Sequence, residues 1–216
     1  MGVVKLDAYV LILRGKDSLK LIDGLSTNKV DGNCTTIFTT SVAKIIDVVD
    51  VVDKGEFVAL VGHGPFKEAM IANINQRILG QDVVVGDATA SNQVFISTKD
   101  IDVADNVTKI LSFKVWKIIA PNGNNIEVDM SMQEYDEFRV DNLIPFQGNE
   151  ITAKVHPLSC GLGDLVHEAK GCYIGQEILA RMRSRGRKGK QLVRIANPIE
   201  DATTIGKTHS LAIRRV

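Results

Sequence analysis

KGCYIGQEILARMRSRGR, residues 170–187, gathers several chemistry-bearing residue types into one short segment. Gly171 and Gly175 bracket Cys172, so the backbone there can turn sharply and a ligand can approach it closely. The residues after Gly175 predict a helix from about Gln176 to Arg183. Its N-terminal amides and partial positive charge would face back toward the turn. Lys170 adds a full positive charge beside the thiol. A cysteine in that setting is expected to have a depressed pKa and to react as a thiolate, which makes Cys172 and Lys170 candidate catalytic residues. Gln176 and Glu177 in the first helical turn can donate to, or accept from, the edge of a heteroaromatic ligand. Six basic residues follow, at 181, 183, 185, 187, 188 and 190. The same residues admit a plainer reading, in which Cys172 is a small buried hydrophobe and the basic run is a solvated loop.

Charge is distributed unevenly around this segment. The 216-residue chain is neutral overall, yet Lys170 to Val216 holds 11 Lys/Arg against three Asp/Glu, a net of +8, so the first 169 residues carry −8. Such a division suggests that the C-terminal part meets an anion. Composition is ordinary for a globular protein, with 44% apolar and 24% charged residues, which excludes collagen-like, coiled-coil and wholly disordered chains. The longest unbroken apolar run, Ala8–Leu13, is six residues, whereas a membrane-spanning helix needs about 20. MGVVKLDAYV at the N-terminus lacks the pattern of an export signal, so a cytoplasmic protein without a membrane partner is expected. The sequons at Asn33 and Asn106 then carry no weight. Cys34, Cys160 and Cys172 are odd in number and form no CxxC pair, so reduced thiols are expected rather than a disulfide framework or a zinc site.

Working outward, strand-like runs alternate with helical ones. Tyr9–Leu13 reads as a strand, and Lys16–Leu25 as a helix with Leu19, Ile22 and Leu25 on one face. Thr35–Thr40, Ile45–Val52 and Glu56–Val61 read as consecutive antiparallel strands. Aspartates at 47, 50 and 53 have period three, which fits neither strand nor helix; the valine content favours strand. Pro65–Leu79 reads as a helix that opens with proline and stops before Gly80. Further strands are expected at Gln81–Val85, Val94–Ser97, Ile110–Ile119 and Ile126–Met130. Ser131–Val140 reads as a helix with capping-box spacing between Ser131 and Glu134. Gly163–Lys170 reads as a short helix, and Gln191–Ile195 and Leu211–Val216 as closing strands. The whole is an α+β pattern with mostly antiparallel sheets.

Common catalytic signatures are absent: there is no GxxxxGK[ST], GxSxG or HExxH. Gly62-His63-Gly64 lacks the third glycine of a dinucleotide loop. The histidines at 63, 156, 167 and 209 share no ligand spacing, so no metal site is expected.

K-G-C-Y-x-G-Q-E at residues 170–177, with Ala180-Arg181 and Arg185-Gly186 beyond it, resembles the signature of the YgfZ family of folate-binding proteins. That family is related to the T-protein (aminomethyltransferase) of the glycine cleavage system. Weaker similarity runs along the chain. Gly15-Lys16-Asp17 through Gly24-Leu25-Ser26-Thr27-Asn28 resembles the family's G-x-D and G-x-x-T-N-D segments, with Lys29 in place of the last aspartate. Ala43-Lys44-Ile45-Ile46-Asp47 resembles its G-K-I-x-x-D strand, and Arg139-Val140-Asp141 with Ile144-Pro145 its R-I-E-x-G-x-P segment. Pro157-Leu158 and Gly161-Leu162 resemble N-P-L-E-A-G-L.

The resemblance implies an α+β fold of two ferredoxin-like antiparallel-sheet halves around a central folate cavity. Residues 1–30 with 112–190 would form the first half and 31–111 the second. Residues 191–216 would be the remnant of a reduced C-terminal β-barrel domain. The implied cofactor is tetrahydrofolate or a one-carbon derivative. The implied role is that of an accessory protein for iron–sulfur protein assembly or repair and linked tRNA modification, with folate and iron–sulfur proteins or their assembly factors as partners. Aminomethyltransferase-type one-carbon transfer to tetrahydrofolate is the alternative. Tyr135, four residues before Arg139, would stack on the pterin, with Tyr9 a weaker second. Tyr173, Gln176, Arg139 and Arg181 would complete the folate contacts, with Glu134, Glu137, Asp141 and Glu177 all open as acceptors for the pterin amide edge. Asp47 is the candidate for the T-protein's catalytic carboxylate, although the register puts Val48 at the expected place and Asp47 on the other strand face. RNA binding rests on the Arg/Lys run alone, which has no interleaved aromatic beyond Tyr173.

Overall fold

A computed structural model describes residues 1–184 and 189–216. The fold is mixed α+β with antiparallel sheets, as the pattern predicts. The chain divides into two compact units: Met1–Asp23, Val30–Thr35 and Val49–Met132 form the first, and Gly24–Lys29, Thr36–Val48 and Gln133–Val216 the second.

The strands in chain order are β1 (Val3–Leu6), β2 (Ala8–Arg14), β3 (Cys34–Thr39), β4 (Ile45–Asp53), β5 (Val58–His63), β6 (Val84–Asp87), β7 (Asn92–Ser97), β8 (Thr108–Ser112), β9 (Val115–Pro121), β10 (Lys190–Ala196), β11 (Thr204–Ile205) and β12 (His209–Arg215). The helices are α1 (Ser18–Leu25), α2 (Lys67–Asn75), α3 (Met132–Asn142) and α4 (Gln176–Ser184). The strands assemble into sheets of order β3-β4-β5-β2-β6, β1-β7-β9-β8 and β10-β12-β11.

In the first unit, Val10, Val52, Ala59 and Val61 of one sheet meet Val94 and Ile119 of another in a shared core. The other face of the four-stranded sheet buries Val3, Phe95 and Ile118 beneath Ile101, Val103 and Ile126. The period-three aspartates of β4 sit in a strand buried on both faces, with Asp47 and Asp50 both shielded from solvent. Asp50 is satisfied by the Thr35 hydroxyl at 2.6 Å and by the ammonium of Lys117.

Four local expectations are corrected. Ile110–Ile119 is not one strand but the hairpin β8–β9, closed by Phe113-Lys114 with Phe113 at φ 54°. A phenylalanine in the left-handed region carries no turn signature. Ile126–Met130 is extended but joins no sheet: the amides of Asp129 and Met130 both donate to the Val3 carbonyl, and the Asp129 carboxylate accepts from the Val3 amide. The Pro65–Leu79 helix ends at Asn75, because Arg77 folds its guanidinium back onto the Asn73 carbonyl at 2.9 Å. Gly163–Lys170 yields only a 3-10 turn at Gly163–Leu165, since the His167 amide donates to the Thr27 carbonyl instead of continuing a helix.

Part of the basic charge of the C-terminal part is met inside the second unit. Arg181 pairs with Glu177, Arg194 with Asp141 and Arg214 with Asp201. No helix among the described residues is long and apolar enough to cross a membrane.

Candidate functional site

The site is built in the second unit from the turn at residues 170–175 and the helix that follows it. Gly175 has φ +84°, and a Cβ there would lie 2.8 Å from the Thr40 carbonyl oxygen and 3.0 Å from the Ala43 Cα. Only glycine lets the turn press this closely on residues 39–43. The Thr39 hydroxyl completes the docking by donating to the Ile174 carbonyl at 2.6 Å. From this anchored corner α4 departs, with the Gln176 amide bonded to the Tyr173 carbonyl and the Leu179 amide to that of Gly175. Gly171 differs: a Cβ there would meet no described atom within 4 Å.

Lys170 reaches across the unit. Its ammonium donates to the Ser26 carbonyl at 2.9 Å and the Asn28 carbonyl at 2.7 Å, and sits 5.5 Å from the centre of the Tyr173 ring. The loop it holds is fastened from two more directions: Thr27 donates its hydroxyl to the Leu165 carbonyl and accepts the His167 amide on its own carbonyl. Lys170 therefore ties the turn to the Ser26–Asn28 loop. Cys172, two residues on, is exposed, whereas Cys160 is buried and Cys34 half-buried. Burial pushes the Cys160 thiol up to about 12, so the two thiols have opposite environments.

Against α4 lies a cavity of about 400 Å³. Tyr173, Val166 and Leu179 give it apolar walls, and Gln176, Glu168 and Arg183 give it polar groups. Tyr173 is 9% exposed and burial raises its phenol pKa, so the ring serves as a wall and stays un-ionised. Arg183 is aimed by two carbonyls, those of Gly163 and Val166, each at 2.8 Å, and lies 3.4 Å from Glu168. A volume of this size falls in the range of about 300–1,000 Å³ typical of small-molecule pockets.

The structure thus brings Tyr173 and Gln176 together at one cavity, with Lys170 and Cys172 on the adjoining turn. Glu177 and Arg181 pair with each other at 2.8 Å on the exposed side of α4. Three expected residues lie in the cores instead. Tyr135 is 1% exposed, with its ring stacked near Phe138 and edge-on to Phe146. Arg139 is wholly buried and ion-paired with Glu150. Tyr9 is wholly buried in β2 of the first unit. Asp47 is also fully buried, and its carboxylate accepts the Val48 amide at 2.8 Å. The signature's Arg185 and Gly186 lie outside the described residues. His167 and Glu168 line the cavity without any sequence signal to mark them. Among the described residues, no group of three His, Cys, Asp or Glu could hold a metal ion.

No protein-family model and no curated protein sequence matches the chain. Among solved structures, the chain is similar to the glycine cleavage system aminomethyltransferase T from Bartonella henselae, with a TM-score of 0.72 at 13% identity. The alignment covers 93% of this chain and 67% of that one. At that identity the likeness is one of fold: the chain has a T-protein-like architecture.

Proposed function

We propose that the protein binds a reduced folate and acts as a YgfZ-type accessory protein in the assembly or repair of iron–sulfur proteins and in tRNA modification that depends on them. The observation that carries this reading is the K-G-C-Y-x-G-Q-E segment, folded into a turn that presents Cys172 to solvent beside a small-molecule-sized cavity, on a T-protein-like fold. The residues present suit tetrahydrofolate. Tyr173 with Val166 and Leu179 offers a flat apolar wall for a pterin, Gln176 and Glu168 offer acceptors for its amide edge, and Arg183 offers a cation for the glutamate tail. Bound there, the folate would supply a one-carbon carrier, and this chain's residues would orient it. Cys172 is the reactive group in this reading. A single thiolate cannot hold an iron–sulfur cluster, which usually takes four, so any cluster contact through it is transient and the cluster is cargo.

Aminomethyl transfer is the second reading, favoured by the fold likeness alone. It needs a carboxylate at the reacting centre, and Asp47 is buried, with its carboxylate accepting the Val48 amide.

Calorimetric titration with tetrahydrofolate, followed by an aminomethyl-transfer assay with a loaded carrier protein, tests both. Saturable binding that Tyr173→Ala and Gln176→Ala weaken, without turnover, is the expected result. Turnover in the wild type would establish the second reading, and absence of folate binding would sink both.

A further inference from the structure

The first unit holds a second cavity, of about 390 Å³, lined wholly by its own residues. Its walls are Val10, Ile12, Val52, Ala59, Val61 and Ile119, most of them members of that core. Protein interiors are close-packed and leave few voids larger than a water molecule. Here a cavity is lined by residues of both sheets. Apolar walls of this kind give water few hydrogen-bond partners, so the space suits an apolar guest better than solvent.

The mouth supplies the polar part of the recognition. Phe57 and Pro121 flank it, and Lys54, Asn92, Asn106 and Thr108 carry donors at its rim. Arg14 follows Val10 and Ile12 on the same face of β2, and its guanidinium lies 5.6 Å from the centre of the Phe57 ring. Lys54 and Arg14 make no ion pair among the described residues. One carboxylate, Asp105, shares the rim. Lys54 and Asp105 are the cation and the carboxylate of the lining, and Arg14 adds a second cation beside Phe57.

We infer that this inter-sheet cavity is a binding site for an apolar monocarboxylate, its hydrocarbon part between the sheets and its carboxylate at Lys54 and Arg14. The site is independent of the folate reading, which concerns residues of the second unit.

Isothermal titration calorimetry on the full chain tests it, with decanoate below its micelle-forming concentration as the aliphatic probe and naphthoate as the aromatic one. Saturable one-to-one binding of either is expected, and which of them binds distinguishes a chain-shaped guest from a ring-shaped one. Methyl resonances of Val52 and Ile119 should shift on titration. The surface double variant Lys54→Glu/Arg14→Glu should retain its thermal unfolding profile and weaken binding by about ten-fold, and Asp105→Asn should tighten it. Ala59→Leu, which fills the slot, should abolish binding. Three results would overturn the inference: neither carboxylate binding, decyltrimethylammonium binding as well as decanoate, or the double variant binding like the wild type.

Discussion

The Nη1 of Arg139 lies 3.0 Å from the Oε2 of Glu150, and neither side chain reaches solvent. Around this pair converge the Ile144 carbonyl and the Phe146 amide, each at 3.1 Å, and the Thr204 hydroxyl, 2.6 Å from the other carboxylate oxygen. The network joins α3, the turn after it and β11 within the second unit. A buried guanidinium is tolerated because its hydrogen bonds are made by fixed partners.

Removing one partner of that pair should therefore be severe. Glu150→Ala leaves Arg139 buried and uncompensated, and should cost about 3–5 kcal/mol in urea unfolding. The double variant Arg139→Met/Glu150→Leu should recover most of that loss, because both charges leave together. If Arg139 instead served chiefly as a folate contact, Arg139→Met alone would alter tetrahydrofolate affinity while leaving the urea midpoint in place.

The three thiols should separate in reactivity by exposure. In the folded protein iodoacetamide should label Cys172 first, while Cys160 should react only on unfolding. Cys160 also sets a pH dependence. Its thiol is held near 12 in the fold by burial, against about 8.5 in an unfolded chain. A raised folded pKa leaves stability intact below the unfolded value and removes it as pH climbs from there toward 12. Unfolding free energy should fall by a few kcal/mol at most across that window, by about 1.4 kcal/mol for each unit of pKa difference. Cys160→Ala should flatten that part of the profile.

Lys170 should prove a positioning residue. Its ammonium bonds two carbonyls of the Ser26–Asn28 loop. Lys170→Met keeps the stem over Tyr173 but loses both bonds, at a cost of about 1–3 kcal/mol. Hydrogen exchange at the Thr27 and His167 amides should quicken, since both lie in the loop's anchorage. Iodoacetamide labelling of Cys172 against pH separates this role from thiolate activation: an unmoved labelling curve supports the clamp, and a curve moved upward restores activation.

The helices α3 and α4 were legible in the sequence because Ser131, Glu134 and Gly175 supply cap and turn chemistry where the apolar spacing begins. The strands around the first unit's core were legible because valine and isoleucine runs are broken by Lys54-Gly55 and Asp31-Gly32. The β8–β9 hairpin was not, since Phe113 adopts a conformation its residue type does not announce. The partners of Lys170 lie 142 and 144 residues away in the chain, and no local pattern could name them. The Tyr135–Arg139 spacing showed that the two share a helix face, but whether that face met ligand or core depended on Phe146 and Glu150, which only tertiary packing brings there. The charge division was real as composition, and it is answered only in part within the second unit, where Arg194 pairs with Asp141 and Arg183 lies beside Glu168.

The two glycines of the signature should behave oppositely, although sequence treats them alike. Gly175→Ala meets two penalties: a side chain at φ +84°, and a Cβ forced within 2.8 Å of the Thr40 carbonyl oxygen and 2.9 Å of the Thr39 hydroxyl. The backbone conformation alone costs roughly 1–2 kcal/mol, and the crowding adds to it because a carbonyl oxygen cannot swing aside as a flexible side chain would. Gly171→Ala places its methyl in open space and should shift stability by no more than about 0.5 kcal/mol. The same contrast should carry into ligand binding. Displacing Gly175 moves the start of α4, and with it Gln176 and the cavity wall, so tetrahydrofolate affinity should fall in Gly175→Ala and hold in Gly171→Ala. Thermal unfolding and calorimetry on the two variants decide this. Equal behaviour of the two would mean that the close approach of Gly175 to residues 39–43 does not shape the site.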